Sequence, residues 1–171
     1  FQSTYTATDT PAPAFFIMPN VSPTGTVTII GTPTQGQELR ASNTIADDDG
    51  MGTITYTWKR NGNAITDATS ATYTLTQADV GSTITVTASY TDGQGNPESV
   101  TSNPTSAVAN VNDAPTGTVT ISGTVREDET LTASNTIADE DGLTTFSYQW
   151  KRNGNAITDD TSDTYTLTQE D

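Results

Sequence analysis

Apolar residues alternate with threonine or another polar residue along most of the chain. Val27 and Ile29 share one face of GTVTII, and Ile84, Val86 and Ala88 share one face of TITVTAS. Successive side chains of a strand point to opposite faces, so a period of two predicts half-buried strands. No segment of useful length has a helical period. The pattern therefore predicts an all-β protein.

Composition and turn residues support the same prediction. Threonine fills 38 of the 171 positions, and its branched Cβ favours extended backbone. Asn61-Gly62 and the stretch from Asp92 to Asn96 separate alternating segments, and both are rich in the residues that tight turns require.

The alternating pattern occurs twice. Pro23–Asp79 aligns without a gap on Pro115–Asp171, at an offset of 92 residues, and 40 of 57 positions are identical. A period of this length suits a small β-sandwich better than a solenoid unit. We predict an extended segment over 1–20, a complete repeat over 21–112, and a second repeat over 113–171 that lacks its last two strands.

One series of residues resembles a known family. A tryptophan is followed by an NG turn, then Y-x-L, then D-x-G, in W58-KRNG, Y73TL and D79VG. This series resembles the immunoglobulin-like sandwich, in which the tryptophan packs between two sheets. The resemblance and the alternation predict core positions at Trp58, Trp150, Tyr73 and Tyr165.

The linker NVNDAPTG, residues 110–117, narrows the resemblance. It is similar to linkers between Ig-like and cadherin-like repeats of very large bacterial surface proteins and RTX-type adhesins. The resemblance covers roughly residues 20–171. It implies tandem domains at the cell surface or outside the cell, with neighbouring copies or adjacent repeats as partners.

Charge and missing residue types exclude several functions. The formal net charge is −15, which opposes binding to nucleic acid or anionic lipid. The chain has no His and no Cys, which excludes zinc sites built on them and catalysis by thiol or imidazole. No apolar run is long enough for a transmembrane helix, so membrane insertion is not expected. We find no catalytic constellation and predict that the chain is not an enzyme.

Both repeats contain an acidic loop, NTIADDDG from Asn43 and NTIADEDG from Asn135. Three adjacent carboxylates repel one another, and calcium, which takes six to eight oxygen ligands, would offset that repulsion. The alternative is a set of solvated carboxylates that keeps the protein soluble. The resemblance to cadherin-like repeats implies a calcium site at the domain junction, where an acidic loop would meet the linker or Asp92. The candidate calcium ligands are therefore Asp47, Asp48, Asp49, Asp139, Glu140, Asp141, Asp92, Asn112 and Asp113.

The two ends of the sequence suggest strand exchange. The second repeat has no counterpart of Ser82–Thr91 or Glu98–Val108, whereas Phe1–Asn20 precedes the first repeat and alternates like a strand. One interpretation is a window of a longer array. The other is that this segment completes the second repeat of a neighbouring molecule. The candidate strand-donor residues are Phe1, Tyr5, Phe15, Phe16 and Ile17.

Together with these patterns, the resemblance implies a structural repeat module of a bacterial extracellular fibre or surface adhesin, which strand complementation would assemble head to tail. Two alternatives stay open. One is a module that binds carbohydrate or another ligand, and the other is a decoration or tail protein of a phage virion.

Overall fold

The computed structural model describes residues 19–171, so the proposed strand donors Phe1, Tyr5, Phe15, Phe16 and Ile17 lie outside the described residues. Over the described range every regular element is a strand, apart from one 3₁₀ turn at Gln77–Asp79. The strands form antiparallel sheets, which confirms the all-β prediction. No helix in this range is long and apolar enough to span a membrane.

Seven strands form the two sheets of the first repeat. One sheet has the order β1-β2-β5 and the other β4-β3-β6-β7. The strands are β1 (Val27–Ile30), β2 (Glu38–Asn43), β3 (Thr55–Arg60), β4 (Asn63–Ala64), β5 (Thr72–Thr74), β6 (Ile84–Thr91) and β7 (Pro97–Thr101). This is the arrangement of a β-sandwich.

The core of this sandwich follows from the alternation along its strands. Ile84, Val86 and Ala88 on β6 are fully buried, as is Trp58 on β3, which lies opposite Val86 in the antiparallel register. The Trp58 ring lies 5.8 Å from the ring of Tyr73, centroid to centroid. Its indole N–H donates to the carbonyl oxygen of Ser70 at 2.9 Å, so the polar atom of this buried side chain is satisfied.

The β3–β4 hairpin shows how local sequence determines the register. Asn61 and Gly62 both have positive φ, at 47° and 84°. A two-residue type I′ turn needs this conformation at both positions, and Asn-Gly is the sequence that tolerates it best. The turn pairs Arg60 with Asn63 and Lys59 with Ala64.

The second repeat contains five strands in two smaller sheets. β8 (Val119–Ser122), β9 (Thr130–Asn135) and β12 (Thr164–Thr166) form one sheet, and β10 (Lys151–Arg152) and β11 (Asn155–Ala156) form a hairpin. Its core contains Ala133, Trp150, Tyr165 and Leu167. Residues 147–150, which correspond to the first four residues of β3, form no strand. In the first repeat β3 pairs with β6, and the described chain offers this segment no such partner.

The chain forms two compact units that do not coincide with the repeats. The first contains the described residues up to Thr32, together with Glu38–Tyr73 and Ser82–Ser106. The second contains Pro33–Gln37, Thr74–Gly81 and Ala107–Asp171. Two loops of the first repeat therefore belong to the unit that holds the second repeat.

Candidate functional site

The acidic loop begins with hydrogen bonds that both repeats make. The side-chain amide of Asn43 donates to the Tyr56 hydroxyl at 2.9 Å, and its carbonyl oxygen accepts the Ile45 N–H at 3.4 Å. In the second repeat Asn135 donates to Tyr148 at 2.7 Å and accepts from Ile137 at 3.2 Å. The first half of the loop, which is identical in the two repeats, is thus held by contacts within its own repeat.

The first and third acidic residues form an Asx turn. One oxygen of Asp47 accepts the Asp49 N–H at 2.9 Å, and one oxygen of Asp139 accepts the Asp141 N–H, also at 2.9 Å. A short side chain that accepts a backbone N–H two residues later stabilises a sharp bend. The bend presents the third carboxylate to the segment that enters the repeat.

The third carboxylate holds the backbone of that entering segment. Asp49 Oδ2 accepts the Val21 N–H at 2.6 Å, and Asp141 Oδ2 accepts the Asp113 N–H at 2.7 Å. In each copy the donor lies two residues before the proline of the PTG motif. We call this hydrogen bond the linker clamp. A hydrogen bond from a backbone N–H to a carboxylate is charge-assisted. The clamp therefore stabilises the charge of the third acidic residue without a metal ion.

Further residues surround the clamp of the second compact unit. The Gln35 amide donates to Asp113 Oδ2 at 2.8 Å, and its carbonyl oxygen accepts the Val111 N–H at 3.1 Å. The Gln77 amide donates to Asp141 Oδ1 at 3.4 Å. Glutamines from two loops of the first repeat thus contact the linker and the acidic loop of the second.

These contacts determine the electrostatics of Asp141. The Asp113 N–H is the main cause that holds the pKa of the Asp141 carboxyl below its ordinary value, and a hydrogen bond from the Asn110 side chain adds to it. Hydrogen bonds to the ionised form favour ionisation, so Asp141 carries its charge throughout the neutral range.

In the first repeat the acidic loop also meets the turn that follows β6. The Gly93 N–H donates to the Asp49 carbonyl oxygen at 3.0 Å, and Asp92 forms an isolated antiparallel bridge with Met51. Tyr90, a buried residue of β6, donates its hydroxyl to Asp47 Oδ2 at 2.6 Å. Burial and this hydrogen bond raise the pKa of Tyr90, so the hydroxyl remains a donor.

Asp92 is buried and caps its own turn. Its carboxylate accepts the N–H groups of Gln94 at 2.8 Å and Asn96 at 2.7 Å, and the Asn96 side-chain amide at 2.9 Å. Burial opposes ionisation, but the bonds from Asn96, Gln94 and Gly95 outweigh it and lower the pKa of Asp92. Asp92 therefore lies beside the loop that contains Asp47 and Asp49. Its carboxylate stabilises the turn that follows β6.

The candidate calcium ligands are oxygens of the type that calcium binds, but most of the carboxylates point to protein donors. Within residues 19–171 no three of the side chains of Asp, Glu, His or Cys are placed to share one metal ion. Asp48 and Glu140 are exposed, and neither side chain makes a hydrogen bond or an ion pair with another of the residues 19–171. Asn112 donates to the Asp113 carbonyl oxygen at 2.9 Å. Calcium remains a prediction.

The clamp was not predicted from the sequence, because its donors are backbone N–H groups and two isolated glutamines. The Asp-x-Asp spacing within each triplet is the one signal that pointed to an Asx turn. A second missed cluster joins Arg152 to Asp171 at 2.8 Å, Nε to Oδ1, with the Tyr165 hydroxyl on the other carboxylate oxygen at 2.8 Å. The guanidinium is the main cause that holds the pKa of Asp171 below its usual range.

No protein-family model matches the chain, and no curated protein and no solved structure matches it. A functional proposal therefore depends on the internal repeat and on the geometry of the clamp.

Proposed function

We propose that the chain is a structural repeat module of a bacterial extracellular fibre or surface adhesin, with neighbouring repeats as its partners. The observation that supports this most directly is the linker clamp, which the same residues form in both copies at 2.6 and 2.7 Å. In each copy the clamp binds the backbone that enters a repeat, and none of its residues is among the buried hydrophobic residues of the core.

A clamp of this kind suits a protein whose task is to connect domains. A free linker samples many conformations, and each residue that is held in place loses backbone entropy. In the second compact unit the linker is held at Val111 by Gln35 and at Asp113 by both Gln35 and Asp141. A linker that these bonds hold in one conformation suits a repeat of a fibre.

The charge distribution is consistent with an exposed surface of this type. Asp48 and Glu140, the central residues of the triplets, are exposed, and the whole chain carries a formal charge of −15. Such a surface keeps extended arrays soluble and separate from nucleic acid and anionic lipid. An extracellular or cell-surface location belongs to the same proposal, as does a purely structural, non-catalytic role.

Calcium is the cofactor that we propose for the acidic loops, with the acidic triplets, Asp92, Asn112 and Asp113 as its candidate ligands. The measurement is thermal unfolding in calcium and in chelator. At about a hundred times the dissociation constant, binding stabilises the folded state by about 2.7 kcal/mol, which raises the midpoint. An unchanged midpoint removes calcium from the proposal and leaves the clamp as the sole device at the junction.

Immunogold electron microscopy of intact source cells, with an antibody raised against the chain, tests the function itself. We expect gold along fibres or at the cell surface without permeabilisation. Preimmune serum and antibody absorbed with the purified chain are the matched controls. Gold that is found only after permeabilisation, inside the cell, would overturn the proposal.

A further inference from the structure

Backbone pairing holds the start of the linker against a loop of the first repeat. The Ala109 N–H donates to the Pro33 carbonyl oxygen at 2.8 Å, and the Gln35 N–H donates to the Ala109 carbonyl oxygen at 3.0 Å. These two bonds form the parallel bridge between Thr34 and Ala109. All of these residues belong to the second compact unit. The linker therefore leaves the first repeat as a paired strand.

The backbone of the loop does not continue this pairing. In a regular parallel ladder the next bond would run from the Val111 N–H to the Gln35 backbone carbonyl oxygen. Instead the loop makes a tight turn, in which the Gln37 N–H donates to the Thr34 carbonyl oxygen at 3.0 Å. Gly36, the third residue of this turn, has a φ of 77°, and a type II turn requires a positive φ there. The loop thus turns away from the linker before its backbone can bond to Val111.

The Gln35 side chain takes the place of the missing backbone carbonyl. Its Oε1 accepts the Val111 N–H at 3.1 Å, and its Nε2 donates to Asp113 Oδ2 at 2.8 Å. A glutamine amide carries a carbonyl acceptor and N–H donors, as a peptide group does, so it can extend a ladder by one step. The backbone N–H of Gln35 already holds Ala109. Gln35 therefore bonds to every second residue of the linker from 109 to 113.

Asp113 is held by two partners at once. Its N–H donates to Asp141 Oδ2 at 2.7 Å, which is the linker clamp, and its own carboxylate accepts the Gln35 amide. The clamp brings the Asp113 and Asp141 carboxylates into the same neighbourhood, and like charges that lie close together repel. The Gln35 amide gives Asp113 a donor, and the Gln77 amide gives Asp141 one at 3.4 Å. Neutral amides thus offset the repulsion that the clamp creates.

We propose that Gln35 is a positioning residue of the linker clamp. Its side chain extends the pairing of the first repeat into the linker and holds Asp113 so that the Asp113 N–H meets Asp141. The clamp then closes on a linker that the preceding loop has already aligned. This inference rests on the proposed function, because it names the residue through which one repeat controls the linker that follows it.

Amide hydrogen exchange on the full chain tests the proposal with Gln35→Glu, which keeps the shape of the side chain and an acceptor for Val111. The variant loses the donor to Asp113 and adds a like charge. At neutral pH we expect protection of the Asp113 amide, corrected for intrinsic exchange, to fall about tenfold or more, as the loss of a hydrogen bond to a charged group predicts. Protection of the Val111 amide should change much less. The Val86 and Ala133 amides, one in each repeat, are the controls and should not change.

A reciprocal exchange of donor and acceptor separates positioning from packing. In the double variant Gln35→Glu/Asp113→Asn the donor lies on the linker and the acceptor on the loop, so protection of the amide at position 113 should return to near the wild-type level. Asp113→Asn alone is the matched control. Its amide oxygen still accepts from Gln35, so protection should persist.

The pH profile gives a second readout that packing alone would not change. Asp113 and Asp141 are the carboxylates next to the substituted position. In Gln35→Glu the introduced carboxyl and Asp113 share a proton as the pH falls from 7 to about 4.5, and whichever holds it donates to the other. Protection of the Asp113 amide should therefore recover in this range. Wild-type protection should stay level there, because the lowered pKa of Asp141 keeps its carboxylate ionised.

Three results would overturn the proposal. One is unchanged protection of the Asp113 amide in Gln35→Glu, and a second is a loss that persists in the double variant or in mild acid. The third is a loss that extends to the Val86 or Ala133 amide, because Gln35 would then support a core and not the linker. None of these results depends on where the protein is found in the cell, so a failed exchange experiment and a failed immunogold experiment are distinct.

Discussion

Replacing each repeat's tryptophan by alanine should have unequal effects, although the two residues occupy equivalent positions. Trp58 is fully buried between two sheets. Trp150 packs on Tyr165 at 5.4 Å, but its repeat exposes Val119 and Ile121. We expect Trp58→Ala to destabilise the first sandwich much more than Trp150→Ala destabilises the second repeat.

The magnitude for Trp58 follows from three contributions. Truncating a buried tryptophan to alanine costs about 3–5 kcal/mol, through lost burial and the cavity that remains. The aromatic pair with Tyr73 adds about 0.5–1.5 kcal/mol, part of which the first figure already contains. The Ser70 carbonyl oxygen also loses the indole N–H, but Ser70 is exposed, so water replaces the lost donor and this contribution is small. The total is near the upper end of the first range, about 5 kcal/mol.

The assay should report on each repeat separately, because unfolding of a chain with two compact units is not a single two-state transition. Native-state hydrogen exchange provides this, since the slowest amides of a structural unit measure its opening free energy. The Val86 N–H, which donates to the Ser102 hydroxyl at 3.0 Å inside the core, reports on the first sandwich. The Ala133 N–H, bonded to the Asp163 carbonyl oxygen at 2.7 Å, reports on the second repeat.

Trp58→Phe is the matched control, since it keeps an aromatic ring next to Tyr73 and loses only the indole N–H and part of the volume. It should cost clearly less than Trp58→Ala. The reasoning fails if Trp58→Ala lowers the opening free energy at Val86 by less than about 1 kcal/mol. A change that small would be close to what an ordinary surface substitution causes. Equal costs at the two tryptophans would refute the argument that the second core is open on one side.

Asp141→Ala should speed exchange of the Asp113 amide, which loses its acceptor at 2.7 Å, whereas Glu140→Ala should leave that amide unchanged; equal effects would contradict the clamp. The lowered pKa of Asp141 means that its contribution is complete above the ordinary value of 3.8 and is lost as the pH falls from there through the folded-state value. Protection of the Asp113 amide, corrected for intrinsic exchange, should therefore decline in acid. Asn153-Gly154 should deamidate faster than Asn61-Gly62 on storage at mild alkaline pH, because the Asn61 side chain is held by Ser82 and Thr83, whereas the Asn153 side chain bonds to none of the described residues. Peptide mass spectrometry gives both rates in one sample, and equal rates would refute this reason.

The sequence was sufficient to predict the all-β fold and the turn chemistry, because both depend on local patterns. Alternation along β6 identified Ile84, Val86 and Ala88, which are buried, and Asn61-Gly62 identified a turn that has the required positive φ at both residues. Local patterns did not reveal that residues 147–150 form no strand. They repeat the pattern of Thr55–Trp58 on β3, but a strand also requires a pairing partner.

The role of the acidic loop was harder to predict, because its carboxylates bind mainly backbone N–H groups, which the sequence does not distinguish from one another. Three consecutive acidic residues suggested a cation, whereas two of the three carboxylates in each copy accept backbone N–H groups. Every residue other than proline carries such a donor, so sequence alone does not indicate which one a carboxylate will select. Gln35 and Gln77 are likewise recognisable as junction residues only once the loops are folded.

The loop that contains Gln35 is also where the two repeats differ most, since six consecutive positions from Pro33 to Glu38 have a different residue in the second copy. Glu127 occupies the position of Gln35 there. A carboxylate cannot donate to the aspartate of a following linker, and it would repel that charge. A repeat with glutamine at this position therefore suits a following linker that has an aspartate where Asp113 lies. A repeat with glutamate suits a following linker that has a hydrogen-bond donor or a neutral residue there. If such repeats stand in a longer series, this loop encodes which repeat can follow which, so that copies produced by duplication are not freely interchangeable in order.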